Sequence, residues 1–267
     1  MSSAVMGSRP VTEVLRAMAR TPNAVYAAVA VPVVLAMVAV ALQPWLLPSD
    51  LLRDSQAIAA DRGDTHSAYG LVSNLGILAM ALASGAALLG FAILRDTTGR
   101  MRPLLGCGAL LSLAIVLDDL LLLHETLTFA AWARVLFAAA YAGAFACFLV
   151  RFRATIRQHL DVGLLLLAGV ALGSSLLVDT VVEPATQLSV LVEDGAKLLG
   201  FVAWSAFVLR SAVFALTRRA DAASGAPRAR HGVRAAAAPR HPSSHLLSPG
   251  ASPARRTTSP MLPSLRD

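Results

Sequence analysis

The stretch Pro103–Glu125, PLLGCGALLSLAIVLDDLLLLHE, decides how the chain is read. Nothing from Pro103 to Leu117 is charged, and the run to His124 is long enough to cross a hydrocarbon core of about 30 Å, which takes roughly 20 helical residues. Asp118, Asp119, His124 and Glu125 then crowd its end. A charged side chain at the centre of a lipid-spanning helix costs roughly 2.5 to 3.5 kcal/mol. The stretch therefore predicts a membrane helix whose charged end meets partners supplied by the rest of the chain.

Five more apolar runs reach spanning length: Ala24–Leu47, Tyr69–Leu94, Ala130–Val150, Val162–Val182 and Leu188–Leu216. The fold class expected is all-α, a polytopic membrane protein of six transmembrane helices. Runs this rich in Ala and Leu satisfy their backbone groups as helices, and the alternation of barrel strands is absent. The composition agrees: 56% of residues are hydrophobic and 15% charged, against about 45–50% and 25% in soluble domains. The first run is too long for the apolar core of a signal peptide and is read as an uncleaved span. Cys107 and Cys147 lie in apolar runs without metal or disulfide spacing, and are read as packing residues. Small residues in the second and fourth spans, Ala83-Ser84-Gly85-Ala86-Ala87 among them, predict close helix packing.

The arginines set the orientation. Three precede the first span, three lie in Arg95–Arg102 and three in Arg151–Arg157, whereas the opposite connections hold only Arg53 and Arg62. Both termini are thus expected in the cytoplasm, in a bacterial-type inner membrane. Nine arginines from Arg218 onward, against Asp221 and Asp267, account for the formal charge of +7. Residues 1–23 form a cytoplasmic segment, 24–217 the six-helix domain, and 218–267 a basic tail rich in Pro, Arg and Ser that is expected to be disordered. The tail has no aromatic residue for base stacking, so membrane lipids rather than nucleic acid are the expected partner. Oligomeric state is not legible.

With this topology the third span runs outward and lifts Asp118 and Asp119 about 22 to 24 Å from Pro103. Asp119 points about 100° away from Asp118 and Glu125, so the helix is charged on more than one side. Outer helix ends carry the other acids as well: Asp179 and Glu183 on the fifth span, Glu193 and Asp194 on the sixth, with Ser73 and Asn74 on the second. Lys197 is the charge-balancing group and is one turn from Glu193, a spacing suited to an ion pair. The connection Pro48–Ala68 holds Asp50, Asp54, Asp61, Asp64 and His66, is long enough for a short interfacial helix over Asp50–Ala60, and reads first as a solvated connector, with an acidic lip over these groups as the sharper alternative. Oxygen ligands with one imidazole suit a hard divalent cation. The candidate ligands are Asp118, Asp119, His124 and Glu125 from the third span, with Asp179, Glu183, Glu193 and Asp194 from the fifth and sixth.

The run Glu193-Asp194-Gly195-Ala196-Lys197 resembles the last helix of microbial rhodopsins, where an acid four residues before a lysine flanks a retinal Schiff base. The resemblance covers one helix, and the chain departs from that family in its six spans and in Glu for Asp, so a salt-bridged Lys197 is the reading kept. No HExxH, GxSxG or DDxxD pattern designates an enzyme. A repeat also shows: Gly108 precedes Asp118 as Gly169 precedes Asp179, which superposes the third span on the fifth. Three function classes stay open: a cation or small cationic substrate bound for transport or sensing, a metal-dependent enzyme acting at the outer leaflet, and a structural subunit whose charges serve helix packing.

Overall fold

The structure, a computed structural model, describes residues 18–19, 21–94, 100–123, 131–181 and 186–224, and every regular element among them is a helix. There are eight among the described residues: α1 Asn23–Leu42, α2 Pro48–Leu52, α3 Ser55–Arg62, α4 Leu71–Ile93, α5 Met101–Leu121, α6 Ala131–His159, α7 Val162–Val181 and α8 Gln187–Ala223. Five of them, α1, α4, α5, α6 and α8, contain stretches long and apolar enough to cross a membrane. The apolar part of α7, Val162–Val178, falls just short of the same length.

Helix α8 is the axis of the fold. It packs against α7, α4, α1, α2 and α5, and α4 in turn lies along α5. Small residues make the approaches close. A Cβ at Gly200 would meet Leu172 of α7 at 2.5 Å, and one at Gly76 would meet Phe201 at 3.1 Å. In the centre Trp204, Phe207 and Phe152 are almost wholly enclosed. The Phe148 ring stands edge-on to Trp204 at 5.5 Å and to Phe207 at 6.5 Å, arrangements that aromatic quadrupoles favour. Three polar side chains at this depth are satisfied locally: Trp204 Nε1 donates to Ser112 Oγ at 2.8 Å, Ser112 donates to the Gly108 carbonyl, and Ser84 to the Ala109 carbonyl.

Three boundaries differ from those expected. Gln43 stops α1 at Leu42, because its side-chain oxygen accepts from the Trp45 and Leu46 amides and its nitrogen donates to the Leu46 carbonyl. The arginines of Arg151–Arg157 lie on the last turns of a continuous α6, not in a loop; Phe152 and Ile156 bury beneath them and hold the helix to His159. Helix α8 continues through Arg218 and Arg219 to Ala223, beyond residue 217. Residues 1–17 and 225–267 lie outside the described residues.

The packing expectation holds for the second span, where Ala83, Ser84 and Ala87 are buried against α5 and α8. It fails for the fourth: Ala139, Ala140, Ala142, Gly143, Ala144 and Ala146 of α6 are exposed. Helix α6 touches α5 and α7 only lightly, whereas α7 lies along α8. The repeated glycine and aspartate positions therefore do not produce repeated packing. Every long helix turns large apolar side chains outward, among them Leu35, Leu82, Leu110, Val150, Val170 and Val213.

Candidate functional site

The connection between α1 and α4 is a folded cap rather than a solvated linker. Pro48 opens α2 and Asp50 closes its first turn, accepting from the Leu47 amide. Asp50 is 3% exposed and is paired with Arg62 of α3 at 2.7 Å. Arg62 also lies over the Tyr69 ring, whose hydroxyl donates to Asp64 at 3.0 Å. Burial, reinforced by that bond, pushes the Tyr69 phenol above its ordinary value. The expected single helix over Asp50–Ala60 is two, broken at Arg53-Asp54, because Arg53 takes an extended conformation.

Gly70 fixes the cap onto the bundle. Its φ of 64° is left-handed, and a Cβ there would meet Ser55 N at 2.7 Å and Arg53 O at 2.9 Å. Only glycine fits both constraints without strain. Its amide donates to the Asp50 carbonyl at 2.8 Å. The break at Arg53-Asp54 is thereby laid against the start of α4, where Ser73 Oγ donates to Asp54 Oδ1 at 3.2 Å. Gln56 reaches the α5 end, donating to the Leu120 carbonyl at 3.1 Å.

Beneath the cap, Lys197 Nζ of α8 meets Asp119 Oδ2 of α5 at 3.0 Å. Asp119 is buried, and the ammonium also stands 5.7 Å from the Phe201 ring centroid. The charges acting on Lys197 are Asp119, Asp54 and Asp194; those acting on Asp194 are Lys197, Glu193, Asp54 and Arg53. The cap, α5 and α8 thus bring carboxylates to one lysine. Two small clefts open here, each with room for about one water. One is lined by Ser73, Asp194, Lys197 and Phe201, the other by Asp54, Gln56, Asn74, Asp119 and Leu122. Leu122 ends α5 in the left-handed region at φ 50°, with its side chain buried at the second cleft.

Of the ligands expected from sequence, Asp119, Glu193 and Asp194 fall in this cluster with Lys197. Asp118 does not. It interacts with Tyr141 of α6, whose hydroxyl donates to the Ala114 carbonyl at 3.3 Å. Asp179 is on the last turn of α7, and His124, Glu125 and Glu183 lie outside the described residues. Among the described residues no three His, Cys, Asp or Glu side chains gather as a metal shell. The reason is geometric: neighbouring acids on one helix part by about 100°, and the inward one is taken by Lys197. The ion pair that the structure shows for Lys197 crosses to another helix, where the sequence spacing suggested Glu193 on its own.

Asp54 is the member absent from the expected ligand set. The sequence placed it in a connection read first as solvated and only alternatively as an acidic lip, and its position before Ser55 at a helix start is the only local signal.

The class defined so far is an all-helical protein with several helices of membrane-crossing length and a capped, lysine-centred carboxylate cluster at one end. Residues 25–211 match the family described as Domain of unknown function (DUF8692), and the chain belongs to that family. No curated protein and no solved structure matches the chain.

Proposed function

We propose that the chain is a multi-pass membrane protein whose cluster of Asp54, Asp119 and Asp194 around Lys197 binds a small cation from the outer side, in a sensing or transport role. Six helices, α1 and α4 to α8, cross the membrane in this reading, with α2 and α3 forming the outer cap. Their outward apolar side chains form the lipid face. Trp45 and Trp132, 83% and 70% exposed, lie at the cap end and suit an interfacial belt. The arginines of α6 and α8 suit the cytoplasmic end, and α8, about 55 Å long, carries them beyond a 30 Å core.

One observation carries the functional step: Asp54, Asp119 and Asp194, from three separate elements, act on one lysine beside clefts of water size, with Arg53 the other cation acting on Asp194. A small cation adds positive charge to this carboxylate-rich set at little steric cost. An organic substrate of several heavy atoms exceeds the room there. Below the cluster, Phe201, Trp204 and Phe207 are buried and close the bundle, so the occupant exchanges through the cap end. That favours binding and sensing over passage.

The test is a thermal-unfolding titration of the purified chain with sodium, potassium, magnesium and methylammonium chlorides at constant ionic strength. At least one cation is expected to raise Tm, and Asp194→Asn to weaken the half-saturating concentration about ten-fold, a loss of about 1.4 kcal/mol. The competing reading, charges used only for packing, is favoured by the 3.0 Å Asp119–Lys197 contact. It prevails if no cation shifts Tm while the variants still lose stability.

A further inference from the structure

The opposite end of the bundle carries a second charged arrangement. Arg210, Phe214 and Arg218 succeed one another at four-residue steps along α8 and share a face. Across from them, α6 ends in His159, whose ring stacks on Phe214 at 6.0 Å and 23°. The Arg218 guanidinium lies over the same Phe214 ring at 4.8 Å. Phe214 thus holds a planar cation and an imidazole together, where α6 and α8 meet through aromatic rings. His159 and Arg218 are both exposed.

Arg210 is held by Asp161, Nε to Oδ2 at 2.6 Å, and the second oxygen of Asp161 accepts from Thr21 at 2.8 Å. Asp161 therefore serves Arg210, and Asp221 stands on the turn after Arg218. Arg151 and Arg153 are exposed on the turns of α6 above His159. On α8, Leu209 and Val213, each one residue before Arg210 and Phe214, are exposed apolar side chains. A basic rim that adjoins an outward apolar surface offers one molecule both a phosphate partner and a place for an acyl chain.

We infer that the junction of α6 and α8 at His159, Phe214 and Arg218 is a binding site for the headgroup of an anionic phospholipid. The inference rests on the membrane reading above but concerns a different site. Arginine presents a fork of donors that matches phosphate oxygens, and stacking on Phe214 orients that fork in advance. The imidazole adds an N–H donor. Basic pockets between helices on the cytoplasmic side are where anionic headgroups bind, whereas a zwitterionic headgroup brings its own cation and gains less.

The experiment uses the full chain in nanodiscs of phosphatidylcholine alone or with added phosphatidylglycerol, read by Tm and by the lipid retained in native mass spectrometry. Phosphatidylglycerol is expected to raise Tm and to be retained, less so at high salt. Arg218→Gln should lower its retention about five-fold, and Arg218→Lys should recover only part of it, because lysine keeps the charge without the stacked fork. Equal behaviour in both lipids, or an Arg218→Gln variant that retains phosphatidylglycerol fully, overturns the inference. So does displacement of the lipid by soluble glycerol phosphate at matched concentration, which would mark a site for free anions. A chain that does not enter nanodiscs at all overturns the membrane reading and this inference with it, and the cation titration in detergent stands apart from either result.

Discussion

Lys197 and Asp119 are unequal partners, and the inequality sets what each substitution does. The Asp119 side chain is 5% exposed and that of Lys197 27%, so the carboxylate has the less access to water. Removing the lysine leaves a buried charge without its counter-ion, the costly way to break such a pair. Lys197→Met is therefore expected to lower stability by about 3 kcal/mol, measured by denaturant unfolding in detergent. Replacing both members, as Asp119→Leu with Lys197→Met, should recover most of that loss, because an apolar pair of similar volume needs no hydration. A loss of less than about 1 kcal/mol for Lys197→Met would place the pair with hydrated surface ion pairs. The double variant should also abolish any cation-dependent rise in Tm, whatever its stability, and this separates the binding role from the packing role at the level of two side chains.

At the scale of elements, the cap is positioned by backbone more than by side chains. Gly70 allows the turn between α2 and α3 to rest on the start of α4, and that contact carries Asp54 to the cluster. Gly70→Ala is expected to cost about 1–3 kcal/mol, from the left-handed φ and from the contact with Ser55 and Arg53. It should also weaken cation binding, although residue 70 touches none of the charged groups. Unchanged half-saturation in this variant would remove Asp54 from the site. This is also where legibility in the sequence ends. Helices α1 and α4 to α8 follow the apolar runs because length and hydropathy are local properties. The parting of Asp118 from Asp119 follows from helical periodicity alone. The choice of Lys197 for Asp119 depends on how α8 is rotated in the bundle, where Gly76 meets Phe201, Gly200 meets Leu172 and Trp204 bonds Ser112 of α5. The approach of Asp54 depends on a cap with no period at all, held by Asp50, Arg62 and Gly70. The exposed alanines of α6 show the same limit from the other side, since composition marks them as small but does not say which neighbour is present.

For the whole molecule the two ends are chemically distinct, and sidedness decides what the cluster samples. One end carries Trp45, Trp132 and the cap; the other carries Arg151, Arg153, Arg157, Arg218 and Arg219. Anionic headgroups and the insertion machinery retain arginine-rich ends on the cytoplasmic side. If all six long helices cross, the ends of α6 and α8 share a side and the cap lies opposite. Single cysteines test this once Cys107 and Cys147, both exposed and free, are replaced by serine. Ser67→Cys on the cap, Gln158→Cys at the end of α6 and Ala222→Cys at the end of α8 all lie at exposed positions. A membrane-impermeant maleimide added to intact cells should label only the first, and the other two should react after permeabilisation. Labelling of position 222 together with position 67 would mean that an even number of the five long helices between them crosses, which removes the six-span reading. Labelling of positions 158 and 222 without 67 would keep six spans and invert them. The Lys197 cluster would then open to the cytoplasm, and a cation bound there would report on the cell interior.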